Sequence, residues 1–199
     1  MTFFPDKKIH TKTSKRAKYS LHSLVKPKYY SSGFTLMEIL IVIVIIGILA
    51  TLGLGSFQSS QQKGRDAKRK SELKQIGTAL EAYFNDYGQY PVGISGEIGG
   101  CSGGTACSWG ESFEDDSGTV YMVELPVDPR ENYEFFYDSS GTEYQVYTRL
   151  ENTFDRDINV DSEDDPLVYD GVSCGDLECN YGVSSGNTTP ESGRTLVEE

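Results

Sequence analysis

Residues 34–54 read FTLMEILIVIVIIGILATLGL, and the only charged group among them is Glu38. That length matches the ~20 apolar residues needed to cross a bilayer core, and it is far too long for a buried strand. A secretory signal peptide is one reading, with a small-x-small cut site at Gly53-Leu54-Gly55, but the run and the stretch before it are long for one. A single-pass anchor explains the length but not Glu38. A carboxylate inside a span costs about 2.5–3.5 kcal/mol on insertion scales, so it calls for a partner or a use.

Charge divides the rest of the chain. Residues 1–33 hold eight Lys/Arg against Asp6 alone, and residues 63–74 hold six basic groups against two acidic ones. Residues 75–199 hold 26 acidic groups against Arg130, Arg149, Arg156 and Arg194. The formal net charge of −12 is thus a sum of unlike parts. So acidic a body repels nucleic acid backbones, and no direct nucleic-acid binding is expected. The basic leader fits the cytoplasmic side of a membrane. The cluster KGRDAKRK at 63–70 is read as meeting anionic headgroups or the acidic body of a neighbouring subunit.

Leu73, Ile76, Leu80, Tyr83 and Tyr87 recur at steps of three and four, one apolar face of a helix. A single helix is expected from Phe34 to about Tyr87, ended by Gly88 and Pro91. Residues 92–119 read as a Gly/Ser-rich loop. Residues 120–125, 133–137 and 144–150 read as strands, the last two joined by a hairpin turn at Ser139-Ser140-Gly141-Thr142. Four cysteines, Cys101, Cys107, Cys174 and Cys179, allow three pairings. Two local disulfides in an oxidising compartment are the better reading, since neither spacing is C-x-x-C and the two His, His10 and His22, lie in the leader. The expected division is a basic leader at 1–33, a membrane or filament-core helix at 34–57, its amphipathic half at 58–88, a β domain at 89–182 and a disordered tail at 183–199.

The segment SSGFTLMEILIVIVIIGIL resembles the processing motif of type IV prepilins and type II secretion pseudopilins. A basic leader, Gly33, the aromatic Phe34 and Glu38 stand at the family's spacing, inside an apolar helix. The resemblance is strongest over residues 31–60. It implies that a prepilin peptidase cuts between Gly33 and Phe34 and methylates the new amine, and that Glu38 pairs with the N-terminal amine of a neighbouring subunit. The leader is longer than in many members, and Gly55 stands where many carry a helix-bending Pro. The stretch LPVDP at 125–129 and the Tyr-rich strands are similar to major pseudopilins and some small bacterial pilins, less specifically.

The resemblance implies an α+β, pilin-like fold: a long N-terminal helix, transmembrane in its first half, packed on a small antiparallel sheet. The implied function is a structural subunit of a type IV pilus-like filament, with a secretion pseudopilin and a non-polymerising membrane-anchored binding module as alternatives. The implied partners are further copies of the chain, the prepilin peptidase, an inner-membrane assembly platform and lipid. The implied location is the cytoplasmic membrane before assembly, with the globular domain outside the cytoplasm, and a pilus or pseudopilus afterwards. No catalytic constellation is present, so no enzymatic activity is expected.

One cofactor is a candidate. Asp155, Asp157, Asn159 and Asp161 alternate, and Asp165 follows, an oxygen-rich pattern that suits calcium. Major pseudopilins carry a calcium site in the corresponding loop. The pattern is not an EF-hand, because Val160 replaces the turn Gly and Pro166 the bidentate Glu.

Overall fold

The computed structural model describes residues 33–198, and the backbone alone of 52–56. The basic leader, apart from Gly33, lies outside the described residues. The chain divides into two compact units between Val44 and Ile45.

Helix α1 runs Leu36–Tyr87. Its start is a capping box: Glu38 N donates to Thr35 Oγ1 at 3.2 Å, and Thr35 N donates back to Glu38 Oε2 at 2.9 Å. Its end is Gly88, whose φ of 70° needs no Cβ and whose N–H donates to Phe84 O at 2.7 Å. Leu73, Ile76, Leu80 and Tyr83 are buried as their spacing predicts. Tyr87 is not: it is 47% exposed, and its hydroxyl donates to Asp115 Oδ2 at 2.7 Å. An aromatic at the end of a helix face keeps its polar tip wet when a carboxylate is within reach.

The apolar face packs on an antiparallel sheet in the order β11-β7-β6, made of β6 Phe136–Ser139, β7 Tyr144–Thr148 and β11 Tyr181–Ser184. All five residues of β7 are buried, as befits a central strand covered on both faces. β6 and β7 pair from Phe136↔Tyr147 to Ser139↔Tyr144 across the expected turn, where Ser139 Oγ accepts from Gly141 N at 3.0 Å.

The smaller sheets change two expectations. Residues 92–119, read as a loop, hold β1 Gly93–Ile94, β2 Glu97–Cys101, β3 Thr105–Cys107 and β4 Phe113–Glu114. Strand β4 pairs with β5 Val120–Met122. Strands this short carry no visible alternation, and the Cys101–Cys107 disulfide ties β2 to β3. A second local disulfide joins Cys174 to Cys179 across β9 Ser173–Cys174 and β10 Leu177–Glu178.

The tail at 183–199, read as disordered, is built into the fold up to Glu198. It begins in β11 and ends in β12 Leu196–Glu198, which pairs with β8 Leu167–Tyr169. Between them Gln145 Nε2 donates to Thr189 O at 2.7 Å and Ser192 O at 2.9 Å, Tyr147 OH donates to Pro190 O at 2.6 Å, and Arg194 pairs with Asp138. Three of these bonds reach backbone carbonyls, and the fourth uses the Arg194 side chain, whose partner Asp138 is 56 residues away.

A charge cluster fixes the helix to the body. Arg69 is fully buried and donates through Nε and Nη2 to Asp128 at 2.6 and 2.7 Å. Its Nη1 donates to Asp66 Oδ1 and Glu151 Oε1, both at 2.8 Å. Arg65 adds a bidentate pair to Glu151 at 2.6 Å and 2.6 Å, and Arg130 reaches the same carboxylate at 3.3 Å. Asp66 also accepts the backbone N–H groups of Glu151 and Asn152. The three carboxylates therefore balance three guanidiniums. Burial alone would favour loss of the Arg69 proton; the bonds to Asp128 and Glu151 outweigh it and hold the charge firmly in place. Truncating one member of such a set leaves a buried charge without its partner.

The Arg65 and Arg69 guanidiniums hold the Glu151 carboxyl down at about 2, against an ordinary 4.5. A carboxyl depressed in the folded state contributes its stability above its unfolded pKa, and that contribution fades as pH falls through the folded one. The unfolding free energy is expected to drop between pH 4.5 and 2 by about 3 kcal/mol more in the unaltered protein than in Glu151→Gln. Chemical denaturation along a pH series measures this, and parallel pH profiles for the two proteins would contradict it.

Candidate assembly site

The segment from Gly33 to Leu49 carries the features that the sequence singles out. Its large apolar side chains are exposed all round the helix, from 45% at Val42 to 84% at Leu36. Among the described residues, no helix is long and apolar enough to cross a membrane. The side chains of 52–56, inside the apolar run, lie outside the description, Gly55 among them. Thr51 turns its hydroxyl back to Ile48 O at 2.8 Å.

Gly33 and Phe34 are both exposed. A Cβ on Gly33 would meet nothing within 4 Å, so space in the folded chain does not require a glycine there. The Glu38 carboxylate is already in use: Oε2 accepts from both the N–H and the hydroxyl of Thr35, at 2.9 and 2.8 Å. Its second oxygen, Oε1, has no hydrogen bond from the described residues. The spacing Thr35-x-x-Glu38 carries the capping signature, which the emphasis on lipid cost obscures.

The basic cluster is placed differently from its reading as a contact for neighbours. Arg65 and Arg69 are spent on Asp66, Asp128 and Glu151 of the same chain. Lys70 Nζ donates to Asp155 Oδ1 at 2.6 Å and Asp157 Oδ2 at 2.7 Å, and lies 5.2 Å from the Tyr181 ring centroid. Burial alone would lower the Lys70 pKa; the two carboxylates outweigh it and raise it. Of this cluster's basic residues only Lys63 and Lys68 remain exposed, and Lys68 pairs with Glu72 one turn on at 3.4 Å.

That arrangement bears on the calcium candidate. Asp155 and Asp157 face the Lys70 ammonium. Asn159 Nδ2 turns to Glu191 Oε1 at 3.1 Å, and Asp161 Oδ1 accepts the N–H groups of Glu163 and Asp165. Among the described residues no group of three or more His, Cys, Asp or Glu is gathered to hold a metal ion. The five oxygen-bearing residues therefore do not fit a calcium site as they stand. Lys70, 85 residues from Asp155, supplies a counter-charge from the helix that the loop's spacing does not reveal. Thermal melting in millimolar calcium and in chelator is expected to coincide, whereas a clear rise with calcium would mean that the ion displaces Lys70.

Comparison with known proteins bears on the same segment. The profile described as the prokaryotic N-terminal methylation motif matches residues 28–54. Type II secretion system core protein G of Aeromonas hydrophila is 34% identical over 102 residues, 51% of this chain and 69% of that protein. Core protein G of Pseudomonas aeruginosa is 31% identical over 118 residues, 59% of this chain and 81% of that protein. The type IV major pilin PilA of Myxococcus xanthus is 37% identical over 67 residues, 34% of this chain and 30% of that protein. No solved structure matches the chain.

Proposed function

This chain belongs to the prepilin-processed family that includes type II secretion system core protein G, and from that premise we propose that it is a pseudopilin, the structural subunit of a secretion filament. The observation that carries the reading is the coverage of core protein G relatives, which runs past the shared helix into the body. The pilin match extends over 67 residues and 30% of that protein. The sequence alone puts a pilus-like filament first and the pseudopilin second; the relatives favour the second.

The subunit is made with its leader in the cytoplasm, cut before Phe34 and held in the membrane by its apolar helix. It then passes into a core of like helices. The transfer keeps the exposed side chains of residues 34–49 out of water at every stage. Glu38 has a double use. Oε2 closes the capping box, and Oε1 is left for the amine of a neighbour, so that two groups costly in lipid offset each other. The role is structural rather than enzymatic. The only two His lie in the leader, so no mature His exists to serve as an acid or base.

Deleting the chain from its cell is expected to trap export substrates behind the outer barrier while surface filaments persist. Loss of surface filaments with export intact would favour the pilus instead. Glu38→Ala is expected to lower assembled filament by roughly tenfold or more while cleavage of the leader continues, on the scale of one lost charged hydrogen bond. A non-polymerising anchored module would keep its function with that substitution.

A further inference from the structure

Three carboxylates of the body surround one hollow without a partner. The hollow has a volume of about 460 Å³ and is lined by Glu97, Glu131 and Glu134, with Trp109 and Tyr133 among its walls. Glu131 and Glu134 are exposed and Glu97 is half-buried. None of the three side chains has an ion pair or hydrogen bond among the described residues. Asp128 also lines the hollow but is spent on Arg69. The one basic lining residue, Arg130, is drawn to Glu151 and lies 4.8 Å from the Tyr133 ring centroid. A cation is thus already seated on one aromatic face here, and tryptophan holds cations better still.

The walls are fixed before anything binds. Ser108 and Trp109 follow Cys107 of one disulfide, and Ser173 and Gly175 flank Cys174 of the other. Gly175 lies so close to the segment carrying Glu131 and Glu134 that a Cβ there would sit 2.3 Å from Asn132 O. Asp176 N donates to that same oxygen at 3.2 Å. A site held in this way gives up little freedom when it is filled.

The complementary charge stands on α1. Over residues 58–80 the helix has two acidic residues, Asp66 and Glu72, and both are buried. Its exposed charge there is Lys63, Lys68 and Lys74. Lys68 pairs with Glu72, whereas Lys63 and Lys74 have no ion pair among the described residues. Asp155 and Asp157, which approach this part of the helix, are taken up by Lys70. The next acidic residue, Glu81, comes about two turns beyond Lys74. No lysine lines the hollow of its own copy.

The structure assigns the hollow to a second copy of this chain: Lys63 or Lys74 of one subunit seats its ammonium among Glu97, Glu131, Glu134 and Trp109 of the next. Bodies holding 26 acidic groups against four basic ones repel each other, and this contact sets unpaired cations of one copy against unpaired carboxylates of another. Helix and hollow are different parts of one chain, so the contact is heterologous, and a heterologous contact that does not close into a ring repeats as an open helix. The inference rests on the filament reading and deepens it, adding a helix-to-body contact to the packing of the apolar helices.

The test uses filaments of the full-length chain sheared from cells that assemble it. A water-soluble carbodiimide joins an ammonium to a carboxylate in contact as an amide. Mass spectrometry of the treated filaments is expected to find Lys63 or Lys74 joined to Glu97, Glu131 or Glu134 in multimers and not in monomers. Separately, Glu131→Lys with Glu134→Lys is expected to lower filament yield by roughly tenfold with unchanged melting temperature. Adding Lys63→Glu and Lys74→Glu to that pair is expected to restore the yield. Filaments without the cross-link, a normal yield from the double variant, or no recovery in the quadruple one overturn the docking and leave the filament reading standing. Failure of the unaltered chain to form any filament overturns both.

Discussion

Apolar side chains that face outward all round a helix must be kept from water, and the rest of this protein is organised around that constraint. The exposed run from Phe34 to Leu49 has no apolar partner face. It is stable only in lipid or among helices like itself, where its backbone is internally satisfied and its side chains stay dry. Burial alone would not tell one neighbour or one register from another. Polar groups in the run do that, and Glu38 is the single charged one. Its capping bond to Thr35 also starts the helix within the stretch that matches the N-terminal methylation motif.

The second constraint is mechanical. A filament subunit must pass force or position between its helix and its body, and here the joint is ionic. Arg69 is clamped by Asp66 from the helix, Asp128 from the LPVDP stretch and Glu151 from the end of the sheet, with Arg65 and Arg130 closing the balance. Such a cluster is weak evidence for net stability compared with an apolar core, since burying charge costs about as much as pairing returns. What it provides is definition. Each partner is directional, so the helix can meet the body in one register only. Lys70 extends the same logic to the acidic loop, doing with an ammonium what the loop's spacing would otherwise ask of a divalent cation.

The parts of this arrangement that are local in the chain are legible in its sequence. The helix and its buried stripe of Leu73, Ile76, Leu80 and Tyr83 follow from spacing, and the β6–β7 hairpin follows from a Gly-containing turn between Tyr-rich segments. The Gly33-Phe34-Glu38 spacing points to the family that the relatives identify. What is not legible is long-range. Arg69 and Asp128 are 59 residues apart, so KGRDAKRK reads as a surface for others when half of it serves its own body. The tail looks unstructured because its partners are distant in sequence: Gln145 and Tyr147 hold its carbonyls, and Asp138 holds Arg194. The ammonium that meets Asp155 and Asp157 of the acidic loop comes from the helix, out of reach of the loop's own spacing.

The central claim is that this chain becomes a filament subunit by losing its leader before Phe34. Intact mass together with N-terminal sequencing of the mature, membrane-extracted protein tests it most directly. The account predicts a chain that starts at Phe34 and carries one added methyl group. A chain that retains Met1, or one that starts near Ser56, would contradict it.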